Sequence, residues 1–242
     1  MKKQTYLYNM IMLIAVLLAA CLPSNAAVET APINEPAAAV QSSEPLAIPS
    51  AAMTQVTASK PDDETFVPVE EYIPDAIVNL KYATDNNFTG QTIYDFKDAY
   101  LRYGTVKKLA SAADNLRGQG YRLLIWDAFR PTLAQWKLWK ACPNAAYVSD
   151  PNKGFSSHSR GNTVDVTLAL SDGTPAEMPS GFDDFTARAD RDYSDASAAA
   201  AQNATLLETV MKKNGFKPYS AEWWHFSDET AYPVEESFVP DI

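Results

Sequence analysis

The chain contains two histidines, and each lies in a short motif that also carries a carboxylate. His158 falls within Ser156-Ser157-His158-Ser159-Arg160-Gly161-Asn162-Thr163-Val164-Asp165, and His225 closes Glu222-Trp223-Trp224-His225. A catalytic zinc takes three protein ligands from His, Asp, Glu and Cys and keeps a fourth position for water. His158, Asp165 and His225 supply such a set, two nitrogens and one oxygen. With both histidines used as ligands, the general base must be a carboxylate, and Glu222 is the one placed for it. A histidine taken singly is usually a satisfied polar or core residue. Two and no others, each in a carboxylate-bearing motif, favour a metal site.

The spacing dictates the local structure needed to assemble these groups. His158 and Asp165 are an odd number of residues apart, so one continuous strand would point them to opposite faces. The chain must therefore turn between them, and Gly161 permits the turn. Thr163 to Leu170 then reads as a strand with Val164, Val166, Leu168 and Leu170 in the core and Asp165 on the other face. In Glu222 to Phe226 the aromatics favour strand, which places Trp223 and His225 on the site side and Trp224 and Phe226 inward.

Other elements frame these two. Ala76 to Tyr82 reads as a strand leading into a turn-rich stretch. Thr105 can cap a helix with Val106, Leu109, Ala113 and Leu116 on one face, stopped by Gly118 and Gly120. Tyr121 to Trp126 is a buried strand by its near-continuous apolar content, delivering Asp127 and Arg130 to its end, and Pro131 opens a second helix through Trp136 and Trp139. Cys142 to Phe155 is a loop, and a last helix spans about Ser197 to Asn214 with Leu206, Leu207, Val210 and Met211 as its core stripe and Gly215 as its stop. The pattern predicts an α+β domain: a small, mainly antiparallel sheet with helices packed against it and the metal site on its exposed face.

These motifs resemble those of the D-alanyl-D-alanine dipeptidase family of zinc peptidases. Ser156 to Asp165 matches the family's Ser-x-His-x-x-Gly-x-Ala-x-Asp, with Thr163 in the Ala position. Glu222 to His225 matches its Glu-x-x-His, and Trp126-Asp127-Ala128-Phe129-Arg130-Pro131 matches a third signature. The resemblance covers roughly residues 70 to 242. It implies one Zn2+ per chain and hydrolysis of the dipeptide D-alanyl-D-alanine, with Arg130 steadying the tetrahedral oxyanion. It also nominates Tyr82 as a wall of the dipeptide site and Asp183, in Gly181-Phe182-Asp183-Asp184-Phe185, as partner of the substrate ammonium. Ser156 and Ser157 are candidates for the substrate carboxylate, and Trp223 for a further substrate contact. Asp127 is a candidate to hold Arg130, or a turn carboxylate. Two other readings remain: a D,D-carboxypeptidase or endopeptidase acting on peptidoglycan peptides, and a non-catalytic zinc-stabilised binding domain, for which Glu222 would have no use.

The N-terminus adds a location. Met1-Lys2-Lys3 followed by an apolar run from Met10 to Ala20 has the charged start and short core of a secretory signal, and is too short for a comfortable membrane span. Leu18-Ala19-Ala20-Cys21 resembles a lipoprotein box, with residues 1–20 as the leader and Cys21 lipidated; Ser24-Asn25-Ala26 resembles an ordinary cleavage site after residue 26. Residues 27–66, rich in Ala, Pro, Ser and Glu, read as a flexible tether, and residues 67–242 as the peptidase domain. If Cys21 is acylated or removed, no disulfide framework is expected from the chain's two cysteines, Cys21 and Cys142. The expected location is the periplasm or cell envelope, with membrane contact only through the lipid. A formal net charge of -10 argues against nucleic acid as a partner, and the sequence points to no protein partner beyond the small dipeptide substrate.

Overall fold

A computed structural model describes residues 60–242. The leader, Cys21 and most of the tether lie outside the described residues. Seven strands occur in chain order among the described residues: β1 Phe66–Pro68, β2 Ile77–Val78, β3 Tyr100–Arg102, β4 Tyr121–Asp127, β5 Thr163–Leu170, β6 Phe216–Pro218 and β7 His225–Asp228. Three α-helices accompany them: α1 Tyr103–Arg117, α2 Thr132–Ala141 and α3 Ala198–Lys213.

Five strands form one sheet in the order β2-β4-β5-β7-β6, and β1 pairs with β3 in a separate two-stranded ribbon. Every pairing is antiparallel except that of the edge strand β2 with β4. The α+β class and the mainly antiparallel sheet are therefore as the pattern predicts. Domain packing begins slightly before residue 67: Phe66 pairs with Arg102, and the Thr65 carbonyl accepts from Tyr103 N–H.

The two faces of the sheet differ in chemistry. Val164, Val166 and Leu168 of β5 are wholly buried, in one apolar cluster with Leu109 and Leu116 of α1 and Leu207 and Met211 of α3. Phe226 lies opposite Val164, and Asp228, on the same side of β7, accepts a hydrogen bond from Thr105 of α1 at 2.8 Å. Asp165, His225 and Ser227 alternate with these and point away from the helices. On that second face His158 and Asp165 are buried rather than set on an exposed surface.

Several elements differ locally from the sequence reading. Leu170, at the end of β5, is exposed rather than in the core. Only Ile77 and Val78 of the Ala76–Tyr82 segment pair with β4. As an edge strand β2 has no second neighbour to keep it extended, and the chain winds into a 3-10 turn, Lys81–Ala83, that buries Tyr82. The first helix begins at Tyr103 with Arg102 in the capping position, because the Thr105 hydroxyl is taken by Asp228. Ser197, by contrast, caps α3 as such residues do, its oxygen accepting from Ala200 N–H at 3.1 Å.

Candidate active site

The register of β5 with β7 sets Asp165 directly beside His225. In an antiparallel pair, opposed residues project to the same face, so carboxylate and imidazole meet without further arrangement. His158 arrives from a 3-10 turn, Ser157–Arg160, that ends in Gly161 at φ 72°. A Cβ at Gly161 would lie 2.4 Å from the Phe66 ring, so both the backbone conformation and the space require glycine there.

His158 Nε2 lies 3.3 Å from Asp165 Oδ2, and His225 Nδ1 lies 3.1 Å from Asp165 Oδ1. One potential ligand atom from each of the three residues falls within 4.8 Å of the others. His158 Nδ1 is 2.8 Å from the Ala128 carbonyl. Donation there fixes the tautomer that leaves Nε2 free as a ligand. Asp165 Oδ1 is buried and makes no well-formed hydrogen bond, its near neighbour being His225 Nδ1, so a cation shared with that nitrogen would satisfy it. The donor set and this buried oxygen fit a divalent metal such as zinc. Burial opposes the charge on Asp165, but His158 and His225 outweigh it and hold the carboxyl well below the usual carboxylate range. Burial likewise works against the His225 cation, yet Asp165 and Glu222 together push its pKa up to about 9. The pocket is thus built to hold positive charge at this point.

Glu222 stands in the turn before β7, with Oε2 3.3 Å from His225 Nδ1 and its side chain reaching the cleft. The cleft encloses about 390 Å³ and is lined by Tyr82, Arg130, Ser156, Ser157, Asp183 and Glu222 together with the three clustered residues. A volume of this order suits a small molecule.

Arg130 enters through an irregularity in β4. The ladder pairs Ile125 with Val166 and then Asp127 with Asp165, passing over Trp126. Such a bulge re-aims the residues beyond it. Asp127 is thereby placed to grip Arg130, with Oδ2 accepting from Nη2 at 2.6 Å and Nε at 3.2 Å. Its other oxygen accepts from the Tyr94 hydroxyl at 2.6 Å and Ala128 N–H at 2.9 Å. Arg130 Nη1 donates to Gln135 Oε1 at 3.0 Å, and Gln135 is fixed in turn by the Ser149 carbonyl. Burial works against the guanidinium, and Asp127, Tyr94 and Tyr82 more than compensate, so the cation is secure.

At another wall of the cleft the Tyr82 hydroxyl donates to Asp183 Oδ2 at 2.8 Å. Asp183 is the one non-glycine residue with positive φ among the described residues, at 53°. Burial pushes its carboxyl well above the usual carboxylate range; the Tyr82 hydrogen bond and Arg130 pull it back in part, while Asp165 and Glu222 add to the rise.

Most of the residues singled out from sequence therefore share one cleft. Ser156 and Ser157 line it, although the Ser156 hydroxyl also accepts from His158 N–H at 3.4 Å, and Ser157 Oγ lies 3.4 Å from His225 Nε2. Trp223 does not line it. Its side chain is 1% exposed, packs at 5.6 Å from the Trp126 ring, and donates from Nε1 to Ser180 Oγ at 2.9 Å. The expected alternation fails because residues 222–224 form a turn and β7 starts only at His225. Tyr94 and Gln135 were not anticipated. A glutamine within a helix of Trp, Leu and Lys gives no sequence signal, and Tyr94 sits in a stretch legible only as turns.

A family model described as D-ala-D-ala dipeptidase matches residues 62–240. The D-alanyl-D-alanine dipeptidase of Escherichia coli K12 is 37% identical over 175 residues, covering 72% of this chain and 90% of the relative. That of Enterococcus faecium is 34% identical over 181 residues, 66% of this chain and 90% of the relative. That of Streptomyces coelicolor is 33% identical over 186 residues, 67% of this chain and 90% of the relative.

Proposed function

The chain belongs to the D-alanyl-D-alanine dipeptidase family of metallopeptidases, and on that premise we propose that it hydrolyses D-alanyl-D-alanine to two D-alanines with zinc held by His158, Asp165 and His225. The observation that carries this reading is the buried Asp165 carboxylate set between two imidazoles, with one potential ligand atom from each residue within 4.8 Å of the others and Glu222 and Arg130 opening onto the same cleft. A bound zinc ion supplies Lewis acidity, polarising a carbonyl and making water more acidic.

The remaining work falls to the chain's own groups. Glu222 takes a proton from the attacking water and delivers it to the departing amine as the C–N bond breaks, so one carboxylate serves both steps. Arg130, locked by Asp127 and Gln135, faces the negative charge that develops on the carbonyl oxygen without having to reorganise. Asp183, oriented by Tyr82, receives the substrate ammonium, and Ser156 and Ser157 supply donors toward its carboxylate. Trp223 supports the site only through the core.

We place the enzyme in the cell envelope, on the leader and the lipoprotein-like Cys21. An exported dipeptidase cannot reach dipeptide in the cytoplasm, so its substrate is dipeptide released from the wall, and its role is scavenging or recycling. The test is hydrolysis by the purified protein of D-alanyl-D-alanine, its N-acetylated form and a wall pentapeptide, with and without chelator. The free dipeptide is expected to be cleaved at least about a hundredfold better than the blocked one, because a buried carboxylate left without its ammonium is costly. Equal cleavage of the pentapeptide would instead establish a carboxypeptidase or endopeptidase. Metal retention with no turnover on any of the three would establish a binding domain.

A further inference from the structure

Four successive carbonyls of the turn that carries His158 each accept a hydrogen bond from outside that turn. His158 O takes Arg130 N–H at 3.3 Å, Ser159 O takes Glu235 N–H at 2.8 Å, Arg160 O takes Arg102 Nε at 2.8 Å, and Gly161 O takes Arg102 N–H at 2.9 Å. Arg102 alone holds two of the four. It is 4% exposed, at the end of β3, and does not line the cleft.

The rest of the Arg102 guanidinium is committed as well. Nη1 donates to Glu64 O at 2.8 Å, and Nη2 lies 3.4 Å from Glu235 Oε2 and 3.5 Å from Pro233 O. Its plane is flanked by the Phe66 ring at 4.7 Å and the Tyr232 ring at 5.2 Å. The C-terminal segment also grips the turn directly, since Arg160 Nη1 donates to Tyr232 O at 2.7 Å. A rigid, five-donor fork suits such a junction of carbonyls; a lysine could satisfy only part of it.

A four-residue 3-10 turn has little intrinsic stability, so the position of His158 depends on what holds these carbonyls. Groups that orient a metal ligand commonly change metal affinity by about ten- to a hundredfold when removed. We propose that Arg102, anchored by Glu235 of the C-terminal segment, is a positioning residue for the metal centre that presets His158 through the backbone of its turn. The inference rests on His158 being a metal ligand.

The test is zinc affinity by competition with a chromophoric chelator, paired with thermal unfolding of metal-free and zinc-loaded protein. Arg102→Ala is expected to weaken zinc binding by about ten- to a hundredfold and to shrink the rise in Tm that zinc produces. Arg102→Lys retains the charge facing Glu235 without the fork, and is expected to recover only part of the affinity. A merely structural role would lower both Tm values equally and leave affinity unchanged, and that result overturns the proposal. Glu235→Ala removes the anchor while sparing Arg102; if Arg102→Ala does not fold, a several-fold loss of zinc affinity in Glu235→Ala supports the role and an unchanged affinity overturns it. Failure of the wild-type protein to bind zinc would refute the metal reading itself. Normal binding by wild type and variants alike would refute only the role of Arg102.

Discussion

Asp127 stands opposite Asp165 across β4 and β5, where a regular ladder would have put Trp126. One skipped residue thereby brings the carboxylate that holds Arg130 beside the carboxylate between the two imidazoles. Asp127 Oδ2 is also 3.6 Å from His158 Nδ1, so the same side chain adjoins both halves of the site.

Removal of that side chain should be felt in stability. Asp127→Ala leaves a buried guanidinium without its anion and the Tyr94 hydroxyl without its acceptor. The expected cost is about 3–5 kcal/mol in urea unfolding, the usual effect of breaking a buried pair from one side. A loss under about 1 kcal/mol would mean that Arg130 finds another partner.

The metal cluster makes a compositional prediction. Purified protein should carry about one zinc per chain, and His158→Ala, Asp165→Ala and His225→Ala should each strip it, as read by elemental analysis. Full occupancy in any one variant would remove that residue from the ligand set.

Chemistry and structure separate at Glu222 and Arg130. Glu222→Gln should retain zinc and fold while losing at least about a hundredfold in turnover, the ordinary contribution of a general base. Arg130→Ala should lower kcat more than it raises KM, because the charge it faces develops only in the transition state. Near-normal kcat in Glu222→Gln would remove Glu222 as the general base.

Asp183 gives a pH dependence with a definite sign. Burial raises its folded-state pKa above that of the unfolded chain. Wild type therefore loses stability as pH climbs from the ordinary carboxylate range through the raised value, a loss that a neutral amide avoids. Asp183→Asn should equal wild type at acid pH and gain on it toward neutrality in denaturant unfolding, while discriminating less between free and N-acetylated dipeptide. A stability difference that does not change with pH would remove the buried-charge account.

The legible parts of the molecule were those governed by short-range rules. The alternation of Thr163 to Leu170 gave β5 with its boundaries, and the odd spacing with Gly161 gave the turn that the φ of 72° realises. Tertiary partners decided what was missed. Thr105 looks like a helix cap until Asp228, distant in sequence, claims its hydroxyl. Trp223 looks strand-like until the turn at residues 222–224 delays the start of β7 and sends its indole into the core. Gln135 and the bulge past Trp126 carry no local signature at all, since both are defined by what lies across from them.

The rings of His158 and His225 meet edge to face with centroids 5.0 Å apart, and the chain holds no third imidazole. In a nitrogen-15 magnetic resonance spectrum every histidine ring signal therefore reports on this one cleft. Tautomer, proton occupancy and metal loading become readable in the unaltered protein, with the His158 Nδ1 proton, shielded by the Ala128 carbonyl, as a slowly exchanging marker that separates one ring from the other.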